Sequence, residues 1–224
     1  FDVEKIDSII TIDTIGSVDA NSNVNVTGIL VDSAQNAISN QEVTITVNNK
    51  KYTTTTGSDG KYVVTIMTPV VTGHYDVSAS YAGSDVYTMA SAQTSMFVKE
   101  ETSIIAEGPI SATVNSTITI NGTLIDASDN GIANATITVT FEGKKYTTTT
   151  NNDGKFTCDI MTTTVGDNIP VTVRYDGNDT YMASSEIISV DVEKLGSELT
   201  LNPVNNTDIN STVDVSGLLS EEYT

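Results

Sequence analysis

An all-β protein built in tandem copies is predicted by three observations. Apolar and polar residues alternate along most of the chain, which is the period of a half-buried strand. Threonine and valine, which favour strands, are plentiful, and no segment sustains the 3.6-residue apolar period of an amphipathic helix. The third observation is duplication: KKYTTTTGSDGKY, Lys50 to Tyr62, returns as KKYTTTTNNDGKF, Lys144 to Phe156.

The offset from Lys51 to Lys145 is 94 residues. It also carries Gly28 to Gly122, Asp32 to Asp126, Asp59 to Asp153, Tyr81 to Tyr175, Tyr87 to Tyr181, and the IMT of 66–68 onto that of 160–162. A motif at 2–5, DVEK, recurs at 191–194, where it closes the second copy, so residues 1–3 read as the last strand of a preceding copy. After Lys194 a third copy opens, because NSTVDVSGLL from Asn210 echoes NSTITINGTL from Asn115. The expected organisation is therefore the end of a preceding repeat and a linker over 1–5, one domain over 6–99, a second over 100–193, and the truncated start of a third over 194–224. Such a chain reads as an excerpt from a longer array.

The last piece falls below the roughly 40 residues needed to fold alone. With Val213, Val215 and Leu219 lacking a partner sheet, it is expected to fray or to add to a neighbour's edge. The connectors VKEET at 98–102 and VEKLG at 192–196 contain neither proline nor a Gly/Ser-rich spacer. Links of this kind predict a rod with modest hinges.

In the second copy the elements follow in order. A first strand lies around Ile104. The next places Ile118, Ile120 and Leu124 inward, and the third Ile137, Val139 and Phe141. Glu142–Gly143 is a two-residue turn, so Val139 faces Tyr146 across the pair, and Thr148 follows inward. Asn152, Asp153 and Gly154 reverse the chain again, with glycine supplying a positive φ. Three further strands turn inward Phe156, Cys158 and Ile160; Val171, Val173 and Tyr175; and Ile188, Val190 and Val192. Seven short strands in about 94 residues is the arithmetic of an immunoglobulin-like sandwich, so the fold class is all-β, tandem seven-stranded immunoglobulin-like β-sandwiches. The threonine run is then a strand, and its repetition records a duplicated structural unit.

Composition excludes several functions. The formal charge is −19 and the pI about 4.1, arising from scarce Lys and Arg, since charged residues make up only 17%. A field of this sign repels phosphate backbones and anionic lipid, which argues against nucleic acid and membrane-surface partners. No stretch of about 18 apolar residues spans a bilayer, so no direct membrane insertion is expected. Cys158 is the single cysteine, so it forms no intrachain disulfide.

Candidate chemistry is sparse. His74 is the single histidine, and no serine or cysteine signature accompanies it, so no catalytic residue is assigned. Cys158 aligns with Val64 as a small buried hydrophobe. In YAGSDVY and YDGNDTY, Asp85, or Asp176 with Asp179, are the candidates for a Ca²⁺ loop. A carboxylate pair falls short of the six to eight oxygens Ca²⁺ takes, and the turn reading is favoured, leaving no assigned cofactor. Lys51, Lys61, Lys145 and Lys155 fall on outward parity, which argues against an internal Lys–Asn bond. Tryptophan, the usual flat platform for sugars, is absent. Seven Asn-x-Ser/Thr sequons, at Asn25, Asn115, Asn121, Asn134, Asn178, Asn205 and Asn210, mark N-glycosylation candidates; Asn25 and Asn121 are expected to face solvent from strands and the others to lie in loops.

Each copy carries, in order, the second-strand glycine of TGIL or NGTL, the turn before the third strand, the DGK hairpin, and YAGSDVY or YDGNDTY. Together these resemble the immunoglobulin-like tandem repeats of prokaryotic, archaeal and bacterial, adhesin-like surface proteins. The resemblance covers both full copies and the start of the third. It implies an extracellular, cell-surface module for cell adhesion, acting as a stalk or ligand-presenting unit, with a protein or glycan on another cell surface as partner. It implies no enzyme. The alternative is a spacer or glycan-binding accessory region of a secreted enzyme, which flanking sequence would distinguish.

Overall fold

Side-chain alternation decides which face of each strand is buried, and two layers of such strands close on one another in each copy. The computed structural model describes residues 4–221. Residues 1–3, read above as the end of a preceding repeat, and residues 222–224 lie outside the described residues.

The first copy comprises β1 (Ser8–Ile10), β2 (Gly16–Val18), β3 (Asn23–Asp32), β4 (Glu42–Val47), β5 (Lys50–Thr55), β6 (Lys61–Met67), β7 (Gly73–Tyr81) and β8 (Ala90–Val98). They form a three-stranded sheet, β1-β3-β6, and a five-stranded sheet, β2-β8-β7-β4-β5. The second copy repeats the plan with β9 (Thr102–Glu107), β10 (Ser111–Thr113), β11 (Thr117–Asp126), β12 (Thr136–Phe141), β13 (Lys144–Thr149), β14 (Lys155–Met161), β15 (Gly166–Tyr175) and β16 (Ser184–Glu193). Its sheets are β14-β11-β9 and β10-β16-β15-β12-β13. The described residues are thus all-β, in tandem immunoglobulin-like sandwiches.

One detail departs from the seven-strand expectation. The first strand of each copy is broken in two, and its halves join opposite sheets: β1 runs antiparallel to β3, whereas β2 runs parallel to β8. In the second copy β10 likewise runs parallel to β16. The break has a local cause. Gly16 sits at φ 76°, and in the second copy Gly108–Pro109 follows β9, where proline has no N–H to continue a ladder.

Cores follow the alternation. In the first copy Val26, Leu30, Ile38, Val43, Ile45, Ile66, Val77 and Met96 are sealed from solvent; in the second Ile120, Leu124, Ile137, Val139, Phe141, Ile160, Val171 and Val173 are. The hairpin turns Asn48–Asn49 and Glu142–Gly143 both have two consecutive positive φ values, the type I′ geometry that matches strand twist. Val139 pairs with Tyr146 as the turn requires.

A glycine on each second strand admits an aromatic ring. Gly28 pairs with Tyr62 and Gly122 with Phe156. A Cβ on Gly28 would overlap the Tyr62 ring, and one on Gly122 would overlap the Phe156 ring. The bare α-carbon lets the Tyr62 ring cross β3, and its hydroxyl donates to the Thr11 carbonyl on the far side.

Threonines satisfy the backbone where strands end. Thr150, 2% exposed, donates to the Ile132 carbonyl at 2.7 Å and accepts from the Ala135 amide at 2.9 Å. Thr56 does the same with Ile38 and Gln41. At the foot of the sandwich Thr68 and Thr162 each donate to a carbonyl, of Asp19 and Thr113, and accept from the amides of Ser22 and Ser116. Thr54 and Thr148 reach sideways to the carbonyls of Val63 and Thr157, both at 2.8 Å, capping the edge of the smaller sheet.

The tail forms a strand pair of its own. β17 (Ser197–Leu201) runs antiparallel to β18 (Gly217–Glu221). It therefore neither frays throughout nor joins another sheet, although Val213, Val215 and Leu219 are exposed. By proximity the chain divides into two compact units. One holds the described residues up to Ser103 with Ile125–Asn130 and Asp176–Ser184; the other holds Ile104–Leu124, Gly131–Tyr175 and the described residues from Ser185 onward.

Carboxylates clamp the loops. Asp32 Oδ1 accepts the amides of Ala34 at 2.9 Å and Asn36 at 2.8 Å, and Asp126 repeats this with Ser128 and Asn130. The bonds from Asn36 and Asn130 hold both carboxyls below their ordinary value. Glu142 accepts the amides of Thr163 and Thr164 and the Thr163 hydroxyl. Burial pushes its carboxyl up, but these bonds outweigh it and the net shift is downward.

Two outcomes follow. Thr150→Val keeps the shape but strips one donor and one acceptor from buried backbone groups, so urea unfolding should show a loss of about 2–4 kcal/mol. The depressed carboxyls stabilise the fold above their ordinary range, and that stability is lost as pH falls through the folded values. The thermal midpoint should therefore drop on acidification from neutral pH to about pH 3. Glu142→Gln should start lower at neutral pH and fall less; parallel curves would contradict the clamp.

Candidate functional surfaces

The loop between the last two strands carries the repeated tyrosine motif, and its geometry is spent on backbone. Gly83 and Gly177 hold φ of 84° and 78°. A Cβ on either would press within 3.0 Å of the Tyr87 carbonyl or 2.8 Å of the Tyr181 carbonyl. Ser84 Oγ accepts the amides of Val86 and Tyr87, and Asn178 Oδ1 those of Thr180 and Tyr181, both at 2.8 Å. The loops then grip the incoming strand: the Ile6 amide donates to the Val86 carbonyl, and the Glu100 amide to the Thr180 carbonyl. The motif sets a turn and docks a strand. Burial, together with Glu100 and Asp126, pushes the Tyr181 hydroxyl up.

Asp85 and Asp179 occupy equivalent exposed positions at the loop tips, and Asp176 closes the strand end before the second loop. Among the described residues no group of three or more His, Cys, Asp or Glu is gathered in a way that would hold a metal ion.

Other singled-out residues are dispersed. His74 is exposed on β7, its ring 4.9 Å from that of Phe97 at a tilt of 54°. Cys158 is buried on β14, and burial with the neighbouring Asp159 raises its thiol above the ordinary value, which suppresses the thiolate. Lys51, Lys61, Lys145 and Lys155 are all exposed. The Tyr62 hydroxyl is pushed up to about 12 by burial and by Asp13, consistent with a fixed donor.

All seven sequon asparagines are exposed. Asn25 and Asn121 stand on strands and accept through Oδ1 from Thr65 at 2.8 Å and Thr157 at 3.1 Å, leaving the bonds off the amide nitrogen that a glycan would occupy. Asn115, Asn134 and Asn210 sit at left-handed turn positions with φ of 63°, 56° and 66°. Asn178 is the turn-forming residue described above, and Asn205 lies in the 202–216 loop.

Sequence reading missed one surface. Thr53, Thr44, Ser80 and Ser91 stand side by side across four strands, because Thr44 pairs with both Thr53 and Ser80, and Ser80 with Ser91. The adjacent row is Lys51, Thr46, Ser78 and Gln93. The second copy places Thr147 beside Thr138 and Thr140 beside Thr172. The outer face of the first copy's five-stranded sheet is thus rich in short hydroxyls, whereas in the second copy Arg174 stands beside Thr138 and Lys145 beside Thr140, so that its face mixes hydroxyls with cations. The signal was the polar half of the alternation, read only as "outward". Its side chains can donate and accept hydrogen bonds at the surface.

A family model described as carboxypeptidase regulatory-like domain matches residues 119–214, a span about one repeat long and less than half of the chain. No curated protein matches the sequence. Among solved structures, similarity is found to a bacterial ice-binding adhesin of 1.5 MDa, studied for host cell surface retention: identity 18%, covering 98% of this chain and 77% of that one, TM-score 0.39. A Ca²⁺-stabilized adhesin with which an Antarctic bacterium binds ice gives 18% identity over 98% of this chain and 59% of that one, TM-score 0.44. Invasin, a bacterial integrin-binding protein, gives 20% identity over 95% of this chain and 54% of its own, TM-score 0.34. The chain thus spans little more than half the length of the last two, and at these scores the likenesses add no weight to a functional reading.

Proposed function

We propose that the chain is a non-catalytic, extracellular structural and adhesive module, in which tandem sandwiches over 6–99 and 100–193 serve as stalk or ligand-presenting units of an adhesin-like surface protein. The observation that carries the reading is the duplication itself. The same glycine, the same buried threonines, the same carboxylate clamps and the same docked loop occur in both copies, and each of these groups works on the protein's own backbone. Repetition of structure without repetition of a reactive cluster is what a spacer needs, and an exposed face copied in each unit allows avidity for a weakly bound partner. A protein or glycan on another cell surface fits these outer faces, whose hydroxyls, with Lys51 in the first copy and Lys145 and Arg174 in the second, offer hydrogen bonds to a polar surface.

Two measurements bear on this. Antibodies raised against the fragment should label intact producing cells as strongly as permeabilised ones; labelling that requires permeabilisation would place the protein inside and sink the reading. Melting curves in millimolar Ca²⁺ and in chelator should coincide, because the aspartates at 85, 176 and 179 are read as turn residues. A midpoint that rises with Ca²⁺ concentration would reveal a bound ion and reverse that assignment.

A further inference from the structure

The two copies differ at one end of the sandwich. In the second, the Glu142 carboxylate takes the amides of Thr163 and Thr164 and the Thr163 hydroxyl, so this side chain ties the β12–β13 turn to the segment between β14 and β15. The 94-residue offset puts Asn48 in the place of Glu142, Pro69 in that of Thr163 and Val70 in that of Thr164. Asn48 carries no carboxylate, and Pro69 has no N–H to receive one. Among the described residues, no side-chain hydrogen bond joins the β4–β5 turn to residues 69–71. Where the second copy is tied, the first holds an open cleft of about 270 Å³.

The cleft is built from both kinds of surface. Val47, 2% exposed, lies deepest, the half-buried Tyr52 and Tyr75 flank it, and Val70 and Val71 stand at its mouth, 71% and 66% exposed. Both tyrosine hydroxyls are engaged with main chain: Tyr75 donates to the Val71 carbonyl at 3.0 Å and Tyr52 to that of Met67 at 3.4 Å. Their rings therefore offer carbon. The charge is the reverse of the chain's own. Against 29 Asp and Glu the chain has 10 Lys and Arg, yet no acid lines this cleft and Lys50 does, its Nζ 5.5 Å from the centre of the Tyr52 ring. Asn21 and Asn48 add amide side chains. The Val70 amide, counterpart of the Thr164 amide that meets Glu142, has no acceptor among the described residues.

We propose that this cleft binds a carboxylate-bearing sugar, a uronic acid, on the partner surface; the proposal rests on the surface-adhesive reading above and names a ligand class for it. The sugar's carboxylate takes the place that Glu142 fills from within in the second copy, meeting the Val70 amide and the Lys50 ammonium. The C–H face of the sugar lies against the carbon of the tyrosine rings and Pro69, and its hydroxyls meet the side-chain amides of Asn21 and Asn48. A peptide carboxylate has no ring of adjacent hydroxyls for those amides to address. The second copy is closed by its own acid, so the two copies are unlike at this end: one binds, the other does not.

The test is titration of the 224-residue chain with sodium glucuronate, followed by amide NMR. Saturable shifts are expected at Asn48, Lys50, Val70 and Val71, and none at Glu142, Thr163 and Thr164. Glucose should bind about fivefold more weakly, and so should glucuronate to the Lys50→Gln chain. Asn48→Glu installs the second copy's acid at matching backbone geometry, φ 46° against 49°, and should abolish the glucuronate shifts without altering the second copy's spectrum. Glucose binding as tightly as glucuronate would overturn the proposal, as would an equally tight blocked aspartate peptide. Undiminished binding by Asn48→Glu, or no shift at tens of millimolar glucuronate, would overturn it too. None of these results touches the labelling of intact cells, so failure of the site is told apart from failure of the surface reading.

Discussion

The contact on which each sandwich depends is an aromatic ring laid across a strand that has no side chain at that point. Gly28 and Gly122 are the positions where the second strand yields space, and Tyr62 and Phe156 take it. The ring joins three strands of the smaller sheet at once, crossing the middle one to reach backbone of the outer one. Burial of a residue this size contributes to the core, and the specificity lies in the gap: any Cβ there meets either the ring or the carbonyl behind it. The rest of the alternation takes its register from this crossing, because a one-residue slip would turn every apolar side chain outward.

Around that crossing, polar groups are used up internally. Threonine hydroxyls answer the amides and carbonyls at strand ends, and aspartate, serine and asparagine side chains close the turns. No buried side-chain nitrogen or oxygen lacks a partner among the described residues. The buried threonines in particular are engaged with main-chain groups. What remains outward on the five-stranded sheets is a mixture of short hydroxyls and charged side chains, among them Lys51, Lys145 and Arg174.

Much of this was legible in the sequence. Inward parity named Ile137, Val139, Phe141, Phe156, Ile160, Val171 and Val173, all of them buried, because a period of two leaves little freedom once one face is apolar. The turn at Glu142–Gly143 was readable from its glycine and from the strands on either side. Three things were not. The break in the first strand depends on which sheet each half reaches, a tertiary choice that local pattern does not encode. Thr148 read as an inward residue and is half-buried on that face, but its bond across to the Thr157 carbonyl of the other sheet is something that spacing along one strand does not encode. The tail was expected to fray or to add to a neighbour's edge, whereas β17 and β18 pair with each other, because the repeat pattern locates strands along the chain without showing which of them find each other.

The central claim, that a bare strand position holding an aromatic ring sets each sandwich, is tested most directly at Gly122. Replacing it with alanine places a methyl group against Phe156 and the Ile105 carbonyl. Hydrogen exchange across the β11–β14 ladder should then accelerate at Ile120, Cys158 and Ile160, with a stability loss of about 1–3 kcal/mol or more in chemical denaturation. Unchanged exchange and stability in the alanine variant would contradict the account.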